Sequence, residues 1–262
     1  MLEPRLDGLR MLVTRDREAS ERFAARLEQL GALPVICPAI EFRFRNPPGF
    51  DEALVALDRF DWLVLTSVNA VRAIAGHFEQ LGLDPVGSLD QTRIAVVGRK
   101  TRAEVERIGG RAAVISPTGD ADGLASELEA IGVEGNLILF PASTIARPEL
   151  PRRLREAGAS VVQLTVYETV APEQLAVPPP DEIDIATFGS PSAVQNIERI
   201  AGRDWFPRVP VVCIGGTTAD AAREAGAIVP VVAAEPSMAG IFATLLEFQQ
   251  RRRQEVEHRG TG

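Results

Sequence analysis

Hydroxyl side chains recur in this chain wherever an apolar run gives way to a helical pattern. Thr66, Ser67 and Asn69 follow DWLVL, Thr101 follows IAVVG with Arg99 and Lys100 beside it, and Ser143, Thr144 and Arg147 follow NLILFP. Ser190 and Ser192 follow IDIATFG, Thr217 and Thr218 follow VVCIGG, and Ser237 precedes the last helical pattern. A hydroxyl at such a junction has two uses. It can cap the helix by accepting from an orphan backbone N–H. It can also join those N–H groups in holding a carboxylate or phosphate. Singly, each residue reads as a cap. Collectively, they describe several helix N-termini suited to a flexible ligand with many anionic groups, to which Arg147 would add a charge-assisted contact. Tyr167 is the single tyrosine of the chain. Its phenol could donate a proton or hydrogen bond to a reacting group, or serve as a half-buried anchor.

Other chemistries find little support. The phosphate-binding patterns GxGxxG and GxxxxGK[ST] are absent, and so is GxSxG. The only histidines are His77 and His258, which makes a Ser–His–Asp triad a poor reading. With no cysteine pair either, a metal site is not expected. Cys37 and Cys213 each lie inside an apolar run and read as buried thiols in a reducing compartment. The formal net charge of −8 argues against broad nucleic-acid binding, which needs a basic face. The run Arg251-Arg252-Arg253 reads as a solvated helix end in a frayed tail. No apolar run approaches the length of a membrane span. The start, MLEPRLDGLRMLVTR, carries acids and lacks an apolar signal core, so the cytoplasm is the expected location.

The elements that must position these residues alternate. RMLVT, LPVIC, DWLVLT, RIAVVG, AAVI, NLILF, SVVQLTVY, IDIATFG, VPVVCIG and IVPVVA are short runs rich in Val, Ile and Leu, as buried strands are. Helical segments separate most of them. REASERFAARLEQLG places Phe23, Leu27 and Leu30 on one side and stops at Gly31. Such alternation predicts parallel sheets flanked by helices. The rhythm breaks twice, at PAIEFRFRNPPGF and at TVYETVAPEQLAVPPPDE, and both segments read as crossings between domains.

The chain also repeats itself. DWLVLTSVNAV, from Asp61, is echoed by DIATFGSPSAV, from Asp184. Gly98 and Gly215, Thr101 and Thr218, and Gly123 and Gly240 are separated by one constant interval, and Ser67 and Ser190 by a slightly longer one. LVTRDREASERFAARLEQLGALPVI resembles LFPASTIARPELPRRLREAGASVV, with Gly31 against Gly158. This A-B-A′-B′ order predicts two similar α/β domains.

The ordered set LTSVNAVRA, VVGRKTRAEVERIGG, LFPASTIARPELPRRLREAGASVVQLTVYET, TFGSPSAVQNI, VVCIGGTTADAAREAG and AEPSMAGIFATL resembles the uroporphyrinogen-III synthase family. The resemblance implies a discontinuous domain of residues 1–38 plus 171–262 and a second of 39–170, with linkers near 38–42 and 165–171 and an active-site cleft between the domains. It implies a lyase of haem biosynthesis that needs no cofactor. The substrate would be hydroxymethylbilane, a linear tetrapyrrole with an acetate and a propionate on each ring. The implied reaction loses water, passes through a spiro intermediate, inverts the last ring and closes uroporphyrinogen III. Tyr167 would assist departure of the hydroxyl. Thr66, Ser67, Thr101, Ser143, Arg147, Ser190, Thr217 and Thr218 would bind substrate carboxylates. A monomer without nucleic-acid or membrane partners is expected, with at most transient contact to the preceding pathway enzyme. The alternative is a non-catalytic tetrapyrrole- or anion-sensing module of the same fold. The chain shows no DNA-binding appendage, which favours the free-standing enzyme.

Overall fold

The computed structural model describes residues 5–260. Side chains from residue 252 on, with Arg252, Arg253 and His258 among them, lie outside the described residues, so the reading of the basic run is not met there. The chain folds as two compact α/β units, residues 1–41 with 170–262 and residues 42–169.

In chain order the elements begin with β1 (Arg10–Val13), α1 (Arg17–Gln29), β2 (Leu33–Ile36), β3 (Glu41–Phe44), α2 (Phe50–Val55) and β4 (Trp62–Leu65). They continue with α3 (Val68–Leu81), α4 (Pro85–Leu89), β5 (Arg93–Val96), α5 (Arg99–Arg107), β6 (Ala112–Ile115) and α6 (Ala121–Ile131). Then come β7 (Leu137–Ser143), α7 (Glu149–Glu156), β8 (Ser160–Val170), β9 (Ile185–Phe188) and α8 (Pro191–Ala201). The last are β10 (Val211–Cys213), α9 (Gly216–Glu224), β11 (Val231–Val232) and α10 (Met238–Gly260).

The first unit's sheet has the order β11-β10-β9-β1-β2, paired in parallel throughout. The second has the order β3-β8-β7-β4-β5-β6, in which β8, β7, β4, β5 and β6 pair in parallel. Five strands of the second unit thus repeat the five of the first, and β3 adds an edge.

Burial explains why these runs become central strands. Every residue of β4 and of β9 is buried. Successive side chains leave opposite faces of a strand. In β4, Leu63 and Leu65 pack with Val71, Ile74 and Phe78 of α3 and Val105 of α5. Trp62 and Val64 pack with Leu124 and Leu128 of α6 and Leu150 and Leu154 of α7. The first unit does the same. Leu12, Ala186, Phe188 and Cys213 meet α8 and α9 on one face, while Met11, Val13, Ile185 and Val212 meet α1 and α10 on the other. Each fully buried Leu, Ile or Phe contributes about 1.5–3 kcal/mol.

Two glycines close matched helices. Gly31 has φ +85° and Gly158 φ +88°, the left-handed region that side chains avoid. A Cβ on Gly31 would lie 2.0 Å from Asp7 Oδ1, and one on Gly158 3.0 Å from Glu134 Cγ.

Each unit holds one tryptophan. The ring of Trp62 lies beneath the Arg93 guanidinium, 4.3 Å from its centroid, and its Nε1 donates to Asn136 Oδ1 at 3.2 Å. Trp205 donates Nε1–H to the Pro178 carbonyl at 2.9 Å and stands edge-on to Phe206.

Two expectations need correcting. IVPVVA forms only the two-residue β11, because Pro230 has no N–H to give the ladder. Tyr167, read both as the end of the strand-like run SVVQLTVY and as part of the crossing near 165–171, stands within the eleven-residue strand β8. That strand is flanked by β7 on one side and β3 on the other, so its backbone is paired where a linker's would be solvated.

Candidate active site

The repeated phrase resolves into three jobs. Its opening aspartate ties two strands together. Asp184 Oδ2 accepts from the backbone N–H of Arg10 at 2.8 Å, and Asp61 Oδ2 accepts from Leu137 N–H, also at 2.8 Å. The apolar residues that follow fill the core. The serine then caps the next helix. Ser67 accepts from Ala70 N–H at 3.1 Å and Ser190 from Ala193 N–H at 3.3 Å, both from extended backbone.

The neighbouring helix in each unit is built differently. α5 and α9 start from Gly98 and Gly215, which have no side chain to cap with. A Cβ added at either glycine would meet nothing within 4 Å. The fold therefore tolerates a side chain there, and the glycine leaves the N-terminal N–H groups bare to an approaching anion. Thr101 and Thr218 occupy the same position three residues inside these helices, at 6% and 3% exposure. Neither is an N-cap, so the capping reading fails for them. Thr217, one residue earlier, is exposed.

Tyr167 comes to the end of β4 from two strands away. Its Oη donates to Ser67 Oγ at 2.9 Å, while its side chain is 8% exposed and edge-on to Phe42. A register shift between Ala142 and Ser143 sets it there. Ala142 pairs with Thr165, but Ser143 pairs with Tyr167, leaving Val166 as the extra residue. Such bulges re-aim side chains. Thr144 N–H then donates to the Tyr167 carbonyl at 3.2 Å. Thr66, Ser67, Ser143 and Tyr167 thus gather at the carboxyl ends of adjacent parallel strands, where open α/β sheets bind ligands. Ser143 is the last residue of β7 and caps no helix, since α7 starts only after Pro148. Arg147 is exposed on the intervening loop.

In the first unit the corresponding strand ends carry Ser190, Thr217 and Thr218, and one residue that sequence reasoning missed. Arg15 lies two residues beyond β1 and is half-buried. Desolvation lowers its pKa from the usual guanidinium value. Its Nη1 lies against Met238 Sδ, and its stem runs beside Gly189. The sequence held a faint signal: the interval joining Gly31 to Gly158 joins Arg15 to Ala142, so a cation stands in one copy of the repeat alone.

Among the described residues no group of three or more His, Cys, Asp and Glu side chains is placed to hold a metal ion. Nor is any helix among them long and apolar enough to cross a membrane. Cys37 and Cys213 are buried, and desolvation pushes their thiols up to about 11 and about 12. Both are unfit as nucleophiles.

The chain is 29% identical over 250 residues to the uroporphyrinogen-III synthase of Chlorobaculum parvum, covering 90% of this chain and 99% of that one. It is 32% identical to that of Synechococcus elongatus, covering 97% and 99%. A crystal structure of uroporphyrinogen-III synthetase from Helicobacter pylori superposes with a TM-score of 0.64 at 18% identity, over 92% of this chain and 99% of that one, a likeness of fold alone. Residues 21–243 match the family model described as uroporphyrinogen-III synthase HemD, and the chain belongs to that family.

Proposed function

We propose that this chain is a cyclising hydro-lyase of porphyrin biosynthesis, converting hydroxymethylbilane to uroporphyrinogen III. The observation that carries the reading is the Tyr167–Ser67 hydroxyl pair at the carboxyl ends of the second unit's strands, in a chain of this family. Bond by bond, the substrate's hydroxymethyl C–O bond breaks as its oxygen takes a proton and leaves as water. The pyrrole's own electrons fill the vacated carbon. The far pyrrole then attacks through its substituted carbon, the spiro intermediate opens and recloses through that ring's unsubstituted carbon with the ring inverted, and the proton on that carbon leaves, which restores the one given to water.

Tyr167 supplies the proton by turning its O–H from Ser67 Oγ to the departing oxygen, and Ser67 holds the phenol in place until then. A phenol held by a hydroxyl at a helix N-terminus is a weak acid in a fixed place, which suits a leaving group that needs only a hydrogen bond at the transition state. The bare N–H groups of α5 and α9, with Thr101, Thr217 and Thr218, hold acetates and propionates; Ser190, Thr66, Ser143 and Arg147 add contacts. The chemistry is mostly positioning, because the same substrate closes unaided to the uninverted isomer.

The test is the isomer ratio. Hydroxymethylbilane is supplied with and without the protein, the products are oxidised, and types I and III are separated by chromatography. A shift to type III is expected. Type I alone, from folded protein, would remove the reading.

A further inference from the structure

Four arginines are half-buried among the described residues: Arg10, Arg15, Arg72 and Arg153. Three are held by carboxylates. Arg10 pairs with Asp184 at 3.0 Å, Arg72 with Glu104 at 3.3 Å and Arg153 with Glu129 at 2.5 Å. Arg15 forms no ion pair with any described residue. Its side-chain partner is the sulfur of Met238, a soft, uncharged and weak acceptor. The adjacent acid, Asp16, turns its Oδ1 to Ala19 N–H at 3.0 Å and caps α1. A guanidinium withdrawn from water without an anion is unfavourable unless something supplies one.

Its place tells what would. Arg15 follows β1, at the carboxyl end of the sheet. A Cβ built on Gly189, after the neighbouring strand β9, would lie 3.7–3.9 Å from Arg15 Cγ, Cδ and Cζ. The guanidinium therefore lies over Gly189, next to the cap Ser190 and against the first residue of α10. The fold does not require a cation there, because the matched residue of the second unit is Ala142, buried in an equivalent sheet.

We propose that Arg15 binds a carboxylate of the substrate, and that it is the first unit's specificity-determining cation. This rests on the tetrapyrrole reading above and extends it. The anion completes a charge on which Asp16 acts only through space, by a forked pair of hydrogen bonds that an ammonium could only partly copy. Exposed Arg147 keeps its water and is the weaker contributor.

The experiment is steady-state kinetics of type III formation by the full chain and its R15Q, R15M and R15K variants, with melting temperatures and salt series. R15Q is expected to raise KM about tenfold to a hundredfold with kcat nearly unchanged. Its KM should depend less on ionic strength than that of the unaltered protein. R15K should fall between. The melting temperature of R15Q should hold or rise, since a partly buried charge without an ion pair is gone. If R15Q does not fold, R15M keeps the stem against Gly189 and Met238 and is read the same way. An R15Q or R15M protein with unaltered KM and salt dependence, or with its whole effect in melting temperature, overturns the proposal while type III synthesis stands. An unaltered protein that makes only type I overturns the tetrapyrrole reading, and the role of Arg15 falls with it.

Discussion

Strands β4 and β9 occupy the same place in their sheets, begin after an aspartate that ties down the neighbouring strand, and end at a serine that caps a helix. The two units part company at a few matched positions. Ser67 accepts from Tyr167 as well as from its own helix, whereas the residue matching Tyr167 in the first unit is Ile40. Arg15 of the first unit is matched by Ala142. Thr14 and Thr187 exchange buried side-chain hydrogen bonds across β1 and β9, at 2.7 Å to the Thr187 carbonyl and 2.9 Å to that of Leu12; the second unit has Pro141 and Val64 there. The aspartate ties, the serine caps and the closing glycines are kept in both copies. Residues able to move a proton or hold a charge stand in one. This suits a substrate with four similar rings, of which one must be singled out. Two identical halves would give no basis for choosing.

Tyr167→Phe probes this comparison most strongly. It should lower kcat about a hundredfold or more and cost only about 1 kcal/mol of stability, since one hydrogen bond is lost. Isomer-resolved kinetics measures the first and thermal melting the second. An undiminished rate would make the phenol an anchor and erase the main difference between the units.

The paired aspartates come next. Asp61→Ala and Asp184→Ala should each cost about 1–3 kcal/mol, because each strands a backbone donor at the start of a central strand. That is a fall of about 2–4 °C per kcal/mol for a chain of this size. A loss at one site and none at the other would break the structural correspondence.

The serine pair is gentler and more discriminating. Ser67→Ala and Ser190→Ala should each remove about 1 kcal/mol of capping. Only the former should also lower kcat, by releasing Tyr167; any kinetic effect of the latter should fall on KM. Equal kinetic effects would argue against a special second unit.

The smallest effect is set by pH. In the second unit Asp51 is held below the usual carboxylate range, chiefly by Asn46 and then by His77. Glu104 is lowered first by Arg107 and also by Arg72, and Asp120 first by the N–H of Gly123 and then by Thr118. Native pKa values below unfolded ones mean stability that is present above about pH 4 and is lost as pH falls through the native values. Hydrogen exchange at pH 6 and pH 3 should show residues 42–169 loosening. The groups are mostly solvated, so salt will blunt the effect. Full protection of that unit at pH 3 would refute it.

Much of this was legible in the sequence, for identifiable reasons. The alternation of apolar and helical runs gave the parallel sheets, since strands buried on both faces cannot be written otherwise. The echo of DWLVLTS by DIATFGS located both serine caps. Other features were out of reach. The run SVVQLTVY marked the start of β8 but not its continuation through Glu168 to Val170, because that pairing is decided by partners remote in sequence. The register shift beside Ser143 is a property of two strands together. Thr101 and Thr218 read as caps because a hydroxyl near a helix start is most often one; that Gly98 and Gly215 take the cap position could be settled only by where the helices begin. Arg15 looked like any charge ahead of a helix, since a missing partner is invisible until every neighbour is placed.

The two indoles give the molecule one optical probe per unit. Trp62 emits from beneath a cation and Trp205 from beside a phenylalanine, so their fluorescence maxima and quenching should differ. Trp205→Phe leaves a signal from the second unit alone, and Trp62→Phe one from the first. Urea titrations of the two proteins would then separate two midpoints if the units open in sequence, or superpose if they unfold as one.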